Sequence, residues 1–425
     1  RHAAAAELNF PPKLPGARSV AVDETDSFLT APADLAQAVD IAQTPPKIEF
    51  LYYPEQNFPG KPWSVWGDGV AANGKYYSSI GDHLAPRGNA YVFQYDPKLR
   101  KLRTLVDVQK VLGLPEDHYT PGKIHSRIDM GSDGWLYFGT HRGSTRVTTD
   151  EYHYQGDWIL RHHPKLGRTE IMAHGPIAKH CIPTSVLDPD RLIFYGGTAA
   201  GNRVDPVMFF VYDVKSRKVL HTAENGPYRY LIFARSTGCV YYVNEDGGPL
   251  MRYDPSRGEP PTRIAGSIGL RSATQETSEG YVYTISTRGD ATLWRFNTGT
   301  EQIDKIGNAA VNSQTYVTSL DVDPTGRYLY YVLGAHGGSQ HDGTPIVQFD
   351  LKTGRKKVIA FLHPFYEQKY GYTPLGTFGS AVNETGEKLY ITWNGNRAGP
   401  DPRGRLGFDT CALTVVHIPE SERRP

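Results

Sequence analysis

Short runs in which apolar or aromatic residues alternate with small or polar ones recur along the whole chain, and most are separated by a glycine-bearing or Asp-Pro turn. That period of two is the signature of half-buried strands, and no helical period of useful length competes with it. The strands fall into repeating groups of four, spaced by roughly 40–50 residues, as expected of a radial repeat. The first group covers 64–71, 75–80, 90–95 and 101–106, and the second covers 123–127, 135–142, 158–162 and 168–172. The third covers 181–187, 192–196, 207–212 and 218–222, and the fourth 229–234, 239–244, 250–253 and 262–265. The fifth covers 272–277, 281–286, 292–296 and 302–306, and the sixth 317–322, 328–333, 346–349 and 356–361. The seventh has only three strands, 377–382, 388–393 and 412–417.

An unpaired strand pattern at 47–53 supplies the missing fourth strand. A ring closed in this way leaves no open sheet edge. The pattern therefore predicts an all-β fold, a seven-bladed β-propeller over residues 45–425 closed by an N-terminal strand. One misread group would make the count six or eight. Residues 1–44 form an N-terminal extension, in which 3–6 reads as a tail and the Ala-rich 31–38 as a short helix.

Composition agrees with this reading. The 44 glycines, 31 prolines and 27 tyrosines suit aromatic strands joined by many turns. Lys+Arg number 46 and Asp+Glu 45, so no global charge steers the chain to nucleic acid or a membrane surface. No apolar run approaches the ~20 residues of a membrane helix. Cys181, Cys239 and Cys411 lie in apolar, strand-like surroundings and are expected to be buried free thiols. The first residues, Arg1-His2-Ala3, lack a methionine, which suggests a processed or trimmed product.

In a propeller, residues just before the first strand or just after the second strand of each blade share one face. His83, His125, His141, Arg142, His180, Tyr228, Arg229, Arg271, Arg288, Tyr316, His336, His341, Asn394, Asn396 and Arg397 fall there. The acids near that face are Asp82, Glu245, Asp290 and Asp342. A face so rich in His and Arg suits an anionic ligand. His125 and His141 stand at the open ends of one predicted hairpin that turns at Asp133-Gly134, and so are expected side by side. Two imidazoles there suit a divalent metal with a third ligand such as His180, or proton abstraction and charge stabilisation, or plain hydrogen bonding to loop carbonyls. The glycine-rich 334–343 and the segment 394–397 read as long loops on the same face. There is no Gly-x-Ser-x-Gly elbow, P-loop, His-Glu-x-x-His or dinucleotide fingerprint.

Lys123-Ile124-His125, with Gly139-Thr140-His141 closing the same hairpin, resembles the β-propeller polysaccharide lyases. The likeness is to the ulvan lyases and rhamnosyl-glucuronate lyases, and more distantly to oligogalacturonate lyase, over about residues 45–419. It implies β-elimination at a uronic acid in an anionic polysaccharide or oligosaccharide, sulfated or not, by a secreted or periplasmic enzyme acting as a monomer. It implies proton and charge handling by His125 and His141. The tyrosine and arginine of those lyases have no plain counterpart. Either His180 takes the tyrosine's role, or Tyr228 with Arg229 or Arg142 supplies the pair. Arg142, Arg229, Arg271, Arg288, His336, His341, Asn394 and Arg397 are the implied substrate contacts. No cofactor is required by the likeness, although a divalent metal ion is compatible with it. The alternatives are a non-catalytic propeller that binds a glycan or protein, or a metal-dependent hydrolase or quinoprotein oxidoreductase on the same scaffold.

Overall fold

The computed structural model describes residues 8–32, 34–59, 63–84, 86–144, 146–287 and 289–424. Seven sheets surround a central channel, five of four strands and two of five, and each blade is antiparallel. The first six blades each run outward through four consecutive strands. Blade 1, for example, uses Val70–Ala72, Lys75–Gly81, Ala90–Asp96 and Lys101–Asp107. Blade 7 takes Thr373–Val382, Lys388–Asn396 and Thr410–His417 from the end of the chain. Its outer strand is Lys47–Tyr52, paired antiparallel from Lys47 opposite His417 to Tyr52 opposite Ala412. The propeller and its closing strand are thus as the pattern predicts.

The 1–44 region does not stand apart. Ala21–Asp23 adds a fifth strand to blade 7, and Val39–Ile41 pairs parallel with the outer strand of blade 6. The described residues between 31 and 38 form no helix. Pro32 is part of the reason, since it holds φ and has no N–H to give to a helix, and Ala38 takes a left-handed conformation (φ 62°). The three cysteines are free and buried. No helix among the described residues is long and apolar enough to cross a membrane.

Each gap between neighbouring blades is filled by its own apolar cluster. Tyr77, Val92, Leu136, Phe138 and Leu160 join blades 1 and 2, and Tyr76, Phe93, Tyr390 and Leu413 join blades 7 and 1. Both faces of every sheet meet a neighbour, so aromatic and branched residues are favoured on both, and strands such as Ala90–Asp96 are buried at nearly every position, not at every second one as a half-buried strand would be. In each of blades 1–6 the pairing of third and fourth strands slips in register: by one residue near the start of the third strand in blades 1, 2, 5 and 6, as at Val92/Phe93 and Ile159/Leu160, by one toward its end in blade 3 (Val211/Tyr212), and by two in blade 4 (Pro249/Met251). The closing pair of blade 7 runs without a slip. A bulge bends a strand and increases its twist, which spreads the outer edge of a blade.

One predicted strand is absent. Residues 123–127 contribute only a single bridge, Lys123 to His141, and the blade 2 ladder is confined to Asp129–Met130. In place of ladder bonds, the Ser126 hydroxyl accepts from the Gly139 N–H (2.9 Å) and donates to its carbonyl (3.1 Å). The segment turns instead against Gly67, where a Cβ would lie 2.1 Å from the Ser126 carbonyl oxygen. Only glycine permits that approach between the inner edges of blades 1 and 2.

Candidate functional site

The channel mouth is organised around Trp66, whose indole N–H donates to Ser64 Oγ (2.6 Å). The ring lies nearly parallel to His83 (centroids 5.6 Å apart) and to His125 (6.1 Å). It also packs on Phe378 (4.8 Å) and His336 (6.0 Å). Lys123 Nζ lies 4.5 Å from the ring centre, a cation–π contact. Lys123 and His125 flank Ile124, which is buried in the cluster between blades 1 and 2, so both flanking side chains turn to the channel.

His125 and His141 have ring centroids 5.1 Å apart. His125 Nδ1 meets the Pro183 carbonyl (2.9 Å) and His141 Nδ1 meets the Arg142 carbonyl (2.8 Å). A carbonyl only accepts, so both Nδ1 atoms carry hydrogen and both Nε2 atoms have the free lone pair of a base. Burial, helped by the charges of Lys123 and Arg271, pushes His125 down to about 3. Burial, then Lys123 and His125, holds His141 well below its ordinary value. His83 is pushed down to about 3 by burial and by Lys123, and its buried Nε2 has no partner. Lys123 itself is pushed down to about 8 by burial, and no hydrogen bond or ion pair holds its ammonium among the described residues.

His141 is fixed from behind. Its neighbour Thr140 donates to Asp157 (2.7 Å), a buried carboxylate that also accepts from Tyr119 (3.2 Å) and Tyr154 (3.1 Å). Arg271 is buried, and its Nε–H donates to the Tyr316 hydroxyl (2.6 Å). Its guanidinium also lies over Phe378, 5.5 Å from the ring centre. Arg229 stacks on Tyr228 (4.7 Å). His125, Arg229, Arg271, Trp66 and Phe378 line one void of about 20 Å³. That volume admits a single water or one carboxylate oxygen, not a sugar ring. A saccharide therefore has to sit over the mouth and direct one anionic group inward. His336 stacks on Tyr316 (4.9 Å) beside this void, and burial lowers its proton affinity.

Other sequence-predicted residues are engaged elsewhere. His180 pairs with Thr198 Oγ1 (2.8 Å) and makes no ring contact with His125 or His141, so it does not complete a three-ligand metal site. Among the described residues no trio of His, Cys, Asp or Glu converges at the channel, and the donor set there does not suit a metal ion. The Arg142 guanidinium donates to the Ala200 carbonyl (2.8 Å). Asn394 is buried and spends both ends of its amide on Val65, accepting from its N–H (2.7 Å) and donating to its carbonyl (3.1 Å). Arg397 donates to Asn9 (2.9 Å) and Thr410 (3.0 Å), pinning the N-terminal segment to blade 7. These two residues are fasteners between chain segments, not ligand contacts. Asn396 binds Gly407 and Asp409. His341 is exposed and meets only Gln340. Arg288 lies outside the described residues.

The acids of the predicted face are also occupied. Asp82 accepts from the N–H groups of Leu84 (3.0 Å) and Asn89 (2.9 Å), and burial pushes it up to about 6. Asp342 accepts from Ser313 (2.6 Å) and Gln314 (2.8 Å). Asp290 accepts from Thr292 (2.5 Å), and Glu245 is exposed.

Sequence reasoning missed Trp66, Lys123 and Phe378. The Lys-Ile-His spacing carried a signal for Lys123, since a buried residue between two polar ones turns both the same way. Trp66 and Phe378 had none, because aromatic residues fill every blade. It also missed the other end of the channel. There Asp68 accepts from Tyr230 (3.1 Å) and from the Ser319 hydroxyl, and Asp321 accepts from Ser380. Arg127 pairs with Asp129 at 2.9 Å. These side chains border a cavity of about 310 Å³, open on the face of the glycine turns and lined also by Asp323, Glu276 and Glu384. The channel is cationic at one mouth and acidic at the other.

No known protein-family profile matches the chain, and no curated protein sequence matches it. Solved structures do. The chain is similar to an oligogalacturonate lyase in complex with manganese (12% identity, TM-score 0.54, covering 93% of this chain and 98% of that one). It is similar to the oligogalacturonate lyase of Vibrio parahaemolyticus (11% identity, TM-score 0.54, 95% and 100% covered). It is also similar to the WD40 repeats of RRP9 (10% identity, TM-score 0.51, 90% and 100% covered). At these identities the likeness is one of fold.

Proposed function

We propose that this propeller is a lyase that cleaves a uronate-containing saccharide by β-elimination. The observation that carries the reading is the cluster of Lys123, Arg229 and Arg271 about Trp66 and Phe378, none of which forms an ion pair among the described residues, beside two imidazoles whose Nδ1 atoms are bound to carbonyls. The one carboxylate lining the same void, Asp68, is engaged by Tyr230 and Ser319. Three cations there face a single carboxylate, and a uronate carboxylate adds a second negative charge.

The chemistry follows from the positions. Arg271 and Arg229 neutralise the carboxylate, which makes the C5 proton of the uronate acidic enough to leave. His125 Nε2 accepts that proton. The low proton affinity of the free site keeps this imidazole unprotonated at neutral pH, and a bound carboxylate then raises its affinity by adding negative charge. The C4–O bond breaks as the C4–C5 double bond forms. Lys123, still charged at pH 7, donates the proton that the departing glycosidic oxygen needs. Trp66 and Tyr228 offer apolar faces on which a sugar ring can lie.

The test is incubation with oligogalacturonate, pectate, ulvan and glycosaminoglycans, read by the ultraviolet absorbance of an unsaturated uronate. His125→Ala is expected to lower kcat/KM by about 10²–10⁴-fold. Activity should fall as pH rises through about 8, where Lys123 loses its proton, and Lys123→Met should remove that limb of the profile. Silence on every uronate polymer by folded protein defeats the proposal. A second reading, favoured by the small void and by the WD40 likeness, is an anionic-glycan binder without turnover. It predicts binding that survives His125→Ala and is lost in Arg271→Ala.

A further inference from the structure

Away from the channel but on the same face, Asp117, His118 and His153 bring their ligand-type atoms within 4.8 Å of one another. They are the one trio of His, Cys, Asp or Glu side chains among the described residues to do so. Asp117 Oδ2 lies 3.6 Å from His153 Nε2, and Asp117 Oδ1 lies 4.0 Å from His118 Nε2. The two imidazoles stack with centroids 4.3 Å apart. No hydrogen bond to another described residue engages these three side chains.

The trio joins two loops that are distant in sequence. Asp117 and His118 lie between the outer strand of blade 1 and the inner strand of blade 2. His153 follows the 3-10 turn Asp150–Tyr152, between the second and third strands of blade 2. The residue after each histidine is a buried tyrosine, and Tyr119 and Tyr154 pack edge to face (4.8 Å) with both hydroxyls on Asp157. The Tyr119 N–H donates to the Tyr152 carbonyl (2.9 Å), closing the loops on each other. The backbones that carry the imidazoles are therefore held firm, while the rings are free at the surface.

The geometry points to a divalent transition-metal site at Asp117, His118 and His153 that clamps these loops together. Tetrahedral Zn²⁺ with nitrogen and oxygen at about 2.0–2.2 Å sets neighbouring ligand atoms about 3.3–3.6 Å apart. The carboxylate lies 3.6 and 4.0 Å from the two imidazole nitrogens and all three ligand atoms lie within 4.8 Å, so small side-chain rotations close the set. Binding asks the stacked rings to fan apart, a rotation that two partly exposed side chains can make. Two imidazoles and one carboxylate suit Zn²⁺ or Co²⁺, whereas Ca²⁺ and Mg²⁺ call for oxygen ligands. Water fills the remaining positions.

The test uses the full chain freed of metal by a chelator. Titration with Co²⁺ should give visible absorption bands that saturate at one equivalent and are displaced by Zn²⁺. Saturating Zn²⁺ should raise Tm by roughly 3 °C. His118→Ala and His153→Ala should each abolish both effects, and their metal-free Tm should stay within about 1 °C of the parent because the side chains are surface groups. His125→Ala and His141→Ala should retain both effects. Absence of Co²⁺ bands in the parent overturns the inference, as does a signal that persists in His118→Ala/His153→Ala.

Discussion

At the scale of single residues, burial decides which ionisable groups can act. The imidazoles at the mouth are unprotonated because burial and neighbouring cations oppose their charge, and Asp321 is protonated over a wide range for the mirror reason. Burial, with the charge of Asp68 adding and the Ser380 hydroxyl opposing, pushes Asp321 up to about 7 from an ordinary 3.8. The folded chain therefore holds that proton where the unfolded chain has lost it. Stability from this group is present below the unfolded value and is lost as pH rises through the folded one. Asp321→Asn is thus expected to help at pH 8 relative to pH 5, by on the order of 2–3 kcal/mol. Urea midpoints at the two values check this, and an equal effect at both would contradict it. The His and Arg residues of the face were visible in the sequence, but their engagement was not. Asn394 and Arg397 look like ligand contacts until their partners, Val65 and Asn9, are brought from the far end of the chain.

At the scale of elements, short apolar and aromatic runs between turns predict nearly every strand, because both faces of each sheet meet a neighbouring blade. The reading fails at 123–127, where the pattern is intact but the chain is drawn against the inner edge of blade 1. Nothing local distinguishes that segment, since the cause is the absent side chain of Gly67, many residues away. Ser126 compensates by satisfying both backbone groups of Gly139. Ser126→Ala leaves that buried N–H and carbonyl without partners and is expected to cost about 1–3 kcal/mol. Thermal unfolding reads the loss, and Ser126→Thr, which keeps the hydroxyl, should recover part of it. A variant that melts like the parent would show that the hydroxyl carries no such role. The recurring slip between third and fourth strands was equally silent in sequence, because a bulge depends on extra residues and not on a residue type.

At the scale of the whole molecule, seven interblade clusters make stability a sum of neighbour contacts around a ring, with the closing strand joining its two ends. Trimming the chain to begin at Pro54 removes Lys47–Tyr52 and exposes the edge of Thr410–His417. The shortened protein is expected to melt well below the parent and to self-associate, as sedimentation would show; a monomer of parental Tm would refute this. The fold was legible from the repeat alone. The polarity of the channel, cationic at one mouth and acidic at the other, was not, because the totals of 46 basic and 45 acidic residues conceal it.

The closing pair also has a consequence in time. Lys47–Tyr52 leaves the ribosome before any blade exists, and its partner Thr410–His417 follows only after six blades have been synthesised. Until blade 7 is made, Lys47–Tyr52 has only the short strand Ala21–Asp23 beside it, and six blades form an arc with two raw ends. Such an intermediate invites pairing with a neighbouring nascent chain. Slower elongation over the last blade would lengthen that exposure, so the yield of this protein should depend on chaperone supply more than its final stability suggests.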